Sequence, residues 1–99
     1  MNAESKNEIL SFLEKFKEKN RQKYHIVKLG LFGSFSRGDS EEGSDIDIAV
    51  ELENPKMFDL VGIKQEIEDS LSCYVDIVRI RGNMNSLLKK RIEKEAIFV

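Results

Sequence analysis

The sequence predicts an α/β (α+β) fold, a small mixed β-sheet with helices packed on it. Three observations carry that reading: helical and strand-like hydrophobic periodicities alternate along the chain, the apolar runs are short, and one passage dense in Gly, Ser and charge interrupts them. Ninety-nine residues allow one compact core, so a single domain over residues 1–99 is expected, two-layered rather than doubly wound.

The first segment, about residues 4–19, places Ile9, Leu10, Phe12, Leu13 and Phe16 at helical spacing among Lys and Glu. Residues 26–32 (IVKLGLF) read as a strand in which Val27, Leu29 and Leu31 alternate. The passage GSFSRGDSEEGS, residues 33–44, suits a loop or short helical turn. Residues 45–53 (DIDIAVELE) alternate cleanly, with Ile46, Ile48, Val50 and Leu52 on one buried face and Asp45, Asp47, Glu51 and Glu53 on the other. Asn54-Pro55 is expected to stop this strand and open a helix, Asn as N-cap and Pro at the first helical position, running to about residue 71. A third strand follows at 74–80 (YVDIVRI), then a turn at Gly82-Asn83 and a helix at roughly 84–95. The closing AIFV is read as a short final strand or a frayed end.

Composition narrows the function classes. Sixteen basic residues against 18 acidic ones give a net charge of −2, which is not the footprint of a protein that grips nucleic acid by bulk electrostatics. No apolar run is long enough for a membrane span, and the opening MNAESKNEIL has no charged-then-apolar export pattern. The lone Cys73 cannot form an internal disulfide, so a reducing, cytoplasmic setting is expected. Charge is nonetheless uneven: residues 15–28 and 79–94 are basic and residues 39–53 acidic. Such runs are ordinarily solvated faces, but here they also describe an acidic centre flanked by surfaces suited to triphosphate or an acidic partner.

Three features bear chemistry. Residues i and i+2 of a strand share a face, so Asp45 and Asp47 project together. Paired carboxylates repel unless a cation lies between them, and Mg²⁺ is the cation that combines one or two carboxylates with phosphate oxygens. Asp76 interrupts an apolar strand, where an unpaired buried carboxylate is costly. Set beside the 45–53 strand, it completes a triad suited to two metal ions. Gly33-Ser34 ends the first strand and opens a turn, a place where backbone N–H groups and a hydroxyl meet an anion, while Gly33 lets the backbone approach a phosphate without a Cβ. Arg37 is placed either to pair with phosphate oxygens or to brace the acidic loop. No Gly-Lys-Ser/Thr follows, so this is not a P-loop.

Taken together, Gly33-Ser34, Asp45-Ile46-Asp47 and the later Asp76 resemble the nucleotidyltransferase superfamily that includes DNA polymerase beta. LFGSFSRGDSEEGSDIDIAVEL with FDLVGIKQEIEDSL and YVDIVRI is similar, more narrowly, to the minimal nucleotidyltransferases (MNT). The resemblance implies a polymerase beta-like fold, triphosphate binding by Gly33 and Ser34, and metal binding by Asp45, Asp47 and Asp76. It also implies ATP as substrate, Mg²⁺ as cofactor, and AMP transfer to a tyrosine hydroxyl of a HEPN-domain toxin for which the MNT protein is antitoxin. Ser36 stands where relatives often have Ala. Larger members carry a second domain that grips base and sugar, and the sequence ends at Val99 without one, so homo-oligomerisation or a partner chain is expected to complete the cleft. The alternative is a binding module that neutralises its partner by association alone.

Other residues carry weaker signals. His25 is expected at the surface near a strand end, Cys73 buried or half-buried at a strand start, and Lys89, Lys90 and Arg91 on a solvated helix face. Glu41 and Glu42 are expected to face solvent, and Phe35 to pack the turn after Gly-Ser into the core.

Overall fold

The computed structural model describes residues 5–39 and 43–99, so the expectations for Glu41, Glu42 and the first turn at residue 4 lie outside the described residues. The order of elements is α1 (Lys6–Tyr24), β1 (Ile26–Phe32), α2 (Ser34–Arg37), β2 (Ile46–Leu52), α3 (Asp59–Leu71), β3 (Val75–Arg79), α4 (Ser86–Glu95) and β4 (Ile97–Phe98). The strands form one sheet in the order β3-β2-β1-β4. β2 and β3 are parallel, joined through α3, while β1 is antiparallel to both β2 and β4. This is the mixed sheet expected.

Helix α1 begins at Ser5, whose hydroxyl accepts from the Glu8 N–H at 3.2 Å, the N-cap bond that satisfies one orphan donor of the first turn. It runs past residue 19 because Asn20 and Tyr24 continue the buried stripe of Ile9, Leu13 and Phe16, while Arg21, Gln22 and Lys23 face outward. Asn20 satisfies its amide by donating to the Phe16 carbonyl at 3.1 Å. His25 closes the helix in a left-handed conformation, φ 54°, with its side chain at the surface.

The alternation expected in β1 fails at its start. A bulge between Ile26 and Lys28 turns Val27 outward, 43% exposed, while Ile26, Leu29 and Leu31 join the core. These three pack with Ile46, Ile48, Val50 and Leu52 of β2 against the inner stripes of α1 and α3, where Ile63, Ile67 and Leu71 are buried.

The other face of the sheet is not open, as expected, but partly covered. Phe32 and Ala49 pack there beneath Ile92 of α4, with Val78, Ile80, Met84 and Leu88 around them. α4 therefore adds a partial third layer to the two expected. Asn85 caps it, its side-chain oxygen accepting from Leu87 N–H at 3.0 Å and Leu88 N–H at 3.1 Å. Helix α3 also starts later than expected. Asn54 adopts φ 49°, which turns the chain rather than capping a helix, and Pro55 stays in the connecting loop. The helix opens instead at Asp59, whose carboxylate accepts from the Lys56 N–H at 2.7 Å. Among the described residues, no helix is long and apolar enough to cross a membrane.

Candidate active site

The chemistry-bearing residues meet at one end of the sheet, on the face that α4 partly covers. Asp47 belongs to β2 and alternates with the buried Ile46 and Ile48, so its carboxylate points to the opposite face. The parallel register sets Asp76 of β3 directly beside it. Residues opposed in register share a face, so the two carboxylates project side by side. Asp45 precedes β2 at an exposed position. Partial burial first, then the charge of Asp76, with Asp45 adding to it, pushes the Asp47 carboxyl above its ordinary value; Arg91 and Arg37 pull the other way. Asp45 and Asp76 therefore both lie within electrostatic reach of Asp47, as the triad reading requires.

Among the described residues no three His, Cys, Asp or Glu groups stand together as a ready metal cluster. The upward push on Asp47 comes first from its burial and then from the like charge of Asp76, a charge that a cation beside them would offset. The donor set is all carboxylate oxygen, which fits a hard divalent cation such as Mg²⁺.

Gly33 flanks Asp47 from the other side. It sits at the end of β1 with φ 78° and ψ −152°, a region open in practice only to glycine. A Cβ built there would lie 2.9 Å from Asp47 Cγ and 3.1 Å from its Cβ, and closer still to Oδ2. The missing side chain thus admits the Asp47 carboxylate itself, a reason for glycine beyond the approach of a phosphate. The Gly33 carbonyl accepts from the Ser36 and Arg37 N–H groups at 3.1 Å and from Ser36 Oγ at 3.1 Å, which closes the single turn α2. Phe35 anchors that turn in the core, 7% exposed. Ser34, half-buried, leads it.

Arg37 makes bonds that suit the bracing role of the two expected. Its Nε donates to Asp39 and its Nη1 to Glu95, each at 2.9 Å. Glu95 also meets Arg91 Nε at 3.5 Å, and the Arg91 guanidinium lies 5.6 Å from the Phe32 ring centroid. So the last turn of α4 is tied to the turn carrying Ser34. Lys6 Nζ donates to the Ser36 carbonyl at 3.0 Å, tying the start of α1 to the same turn. Sequence reasoning missed the braces from Lys6 and Glu95, because partners 30 and 58 residues apart leave no local pattern.

Residues 13–99 match the sequence profile of the nucleotidyltransferase domain. The chain belongs to that family. Among this nucleotidyltransferase's relatives, protein adenylyltransferase MntA of Thermococcus cleftensis is 31% identical over 93 residues, covering 93% of each chain. A candidate protein adenylyltransferase of Methanocaldococcus jannaschii is 35% identical over 94 residues, 94% of this chain and 96% of that one. A solved candidate minimal nucleotidyltransferase superposes with a TM-score of 0.80 at 28% identity, covering 98% of both chains. A toxin–antitoxin structure with AMP-PNP gives 0.74 at 26% identity, over 89% of this chain and 69% of that one. One chain in the structure of tri-AMPylated Shewanella oneidensis HEPN toxin in complex with MNT antitoxin shares the fold, with a TM-score of 0.69 at 22% identity over 94% of this chain and 70% of that one.

Proposed function

We propose that this nucleotidyltransferase moves AMP from ATP to a tyrosine hydroxyl of a partner HEPN-domain toxin and so acts as its antitoxin. The observation that carries the reading is the register that sets Asp76 beside Asp47, with Gly33 closed against the other flank of the same carboxylate. Relatives named protein adenylyltransferases and the neighbour solved with AMP-PNP support the nucleotide and the protein acceptor.

Asp45, Asp47 and Asp76 would hold Mg²⁺, with two ions fitting the number of carboxylates. When bound, the metal supplies neutralisation of charge between the incoming hydroxyl and the triphosphate. Gly33 and Ser34 bind the triphosphate on the β1 side, and the turn α2 is held rigid for that task by Lys6, Arg37 and Glu95. Arg37 acts by bracing, since both of its bonds go to carboxylates of the chain. In the transfer the acceptor oxygen bonds to the α-phosphorus, the bond from that phosphorus to the bridging oxygen breaks, pyrophosphate leaves, and the hydroxyl proton passes to solvent.

The test is intact-mass analysis of the HEPN partner after incubation with this protein, Mg²⁺ and each nucleoside triphosphate in turn. The partner should gain whole AMP units, and Asp45→Asn with Asp47→Asn should abolish the gain while leaving association intact. Labelling that survives the double variant refutes the site. A second reading, neutralisation by association alone, is favoured by Met57, Phe58 and Val61, which expose 86%, 72% and 61% of their surfaces near the start of α3. It predicts an unmodified partner that still binds tightly.

A further inference from the structure

The proposed chemistry has a direction across the sheet. Gly33 and the turn after it lie at the end of β1, on one flank of Asp47, and Asp76 of β3 lies on the other. In-line displacement at phosphorus keeps attacking and leaving oxygens on opposite sides. With pyrophosphate leaving toward β1, the acceptor hydroxyl must arrive over β3. β3 is an edge strand, since the sheet order is β3-β2-β1-β4, so a segment of another molecule has room to approach there.

One side chain stands on that approach. The carbonyl of Tyr74 accepts from the Ile46 N–H at 3.0 Å, so Tyr74 continues the ladder just ahead of β3. The next residue, Val75, is 1% exposed and turned into the core. Strand alternation therefore sends Tyr74 to the face that carries Asp76, at the level of Asp45. The ring is 79% exposed and makes no hydrogen bond or ring contact with any described residue. A phenol there is no competitor for a hard cation, which the carboxylates take, but offers an aromatic face and edge to a second ring.

Resting on the transferase reading above, we propose that Tyr74 is the acceptor-side binding residue, which selects an aromatic hydroxyl on a polypeptide by packing against its ring. The residue contacts the acceptor and not the nucleotide, because the triphosphate lies on the far side of Asp47. Its ring, rather than its hydroxyl, makes the contact.

The probe is a short soluble peptide with one central tyrosine, and its counterpart with serine at that position, each supplied with Mg²⁺ and ATP and followed by intact mass. The tyrosine peptide should accept AMP and the serine peptide should not. An aromatic pair is worth about 0.5–1.5 kcal/mol, so Tyr74→Ala should raise the acceptor KM roughly 2- to 12-fold. Its kcat and its affinity for Mg²⁺-ATP, read by calorimetry, should match the parent, and Tyr74→Phe should behave as the parent throughout. An unchanged acceptor KM in Tyr74→Ala, a weakened nucleotide affinity in that variant, or equal transfer to the serine peptide overturns the proposal. Asp47→Asn, run in parallel, separates the two readings. If Asp47→Asn transfers as well as the parent, the active-site reading falls. If it is inactive while Tyr74→Ala is indifferent, only the role of Tyr74 falls.

Discussion

Substituting Gly33 by Ala tests whether the glycine is there for Asp47. Two costs follow from the geometry. At φ 78° and ψ −152° a residue with a Cβ carries backbone strain of about 1–3 kcal/mol. The added Cβ would also stand 2.9 Å from Asp47 Cγ, so the carboxylate must move by about half an ångström or more to regain ordinary contact at about 3.5 Å. Taking the strain at about 2 kcal/mol, a domain of this size should melt roughly 8–16 °C lower. Displacing Asp47 from Asp76 should cost the transfer rate on the order of 10²-fold, the penalty of an ångström-scale misplacement. Circular dichroism melts and intact-mass initial rates, taken well below both melting temperatures, measure the two effects. The decisive control is the same substitution in an Asp47→Ala background, where the side-chain overlap is largely relieved and only backbone strain is left. The cost of Gly33→Ala in stability should then be smaller, a coupling that a double-mutant cycle reads directly. Equal costs in both backgrounds, or a Gly33→Ala variant with the parent's melting temperature and rate, would refute the reasoning.

Two further outcomes are expected. Because burial and the charges of Asp76 and Asp45 raise the Asp47 carboxyl, its ionisation disfavours the folded state. Without divalent cation, the Asp47 contribution to stability should be greatest below the ordinary carboxylate value and decline as pH rises from there through the raised one, opposite in sign to that of Glu68, whose lowered carboxyl loses its contribution on acidification. Asp76→Asn should shrink that decline and melt higher than the parent at neutral pH; added Mg²⁺ should stabilise the parent more than the variant, as melts with and without chelator will show. In β1, Leu31→Ala should cost about 2–5 kcal/mol as a fully buried leucine, whereas Val27→Ala, on the outer side of the bulge, should cost about 0.5 kcal/mol or less, both read from urea titrations.

The contrast between Val27 and Leu31 shows where the sequence was legible. Strands β1 to β3 were found within a residue or so because β-branched runs bounded by polar turns are a local signal. The bulge was not, since it depends on how β1 meets Leu52 and Glu51 of β2. Asn54-Pro55 carried the right residue types for a helix start, yet the positive φ of Asn54 spends them on a turn. The covered second face was hidden by Ala49, too small to announce burial, although it is wholly inaccessible beneath α4. At the site, spacing alone put Asp45 and Asp47 on one face, and their reading as a metal site came from the joint pattern with Gly33-Ser34 and Asp76. Asp76 stood out as a carboxylate in an apolar strand, but which strand it would lie beside had to be supposed, and the parallel pairing of β2 with β3 supplies that neighbour.

The same pairing explains why so small a chain can concentrate negative charge without losing its fold. Asp47 is squeezed between Gly33 and Asp76, and the nearest offsetting cations, Arg37 and Arg91, are both shared with Glu95. Both guanidinium groups lower the Asp47 carboxyl, but less than burial raises it. The ion pairs of Glu95 with Arg37 and Arg91 hold α2 to the last turn of α4. An acidic centre relieved by the chain's own arginines would be more stable and would bind metal less well. The arrangement keeps the electrostatic cost at one strand end and leaves the apolar core of α1, α3 and the sheet to hold the rest.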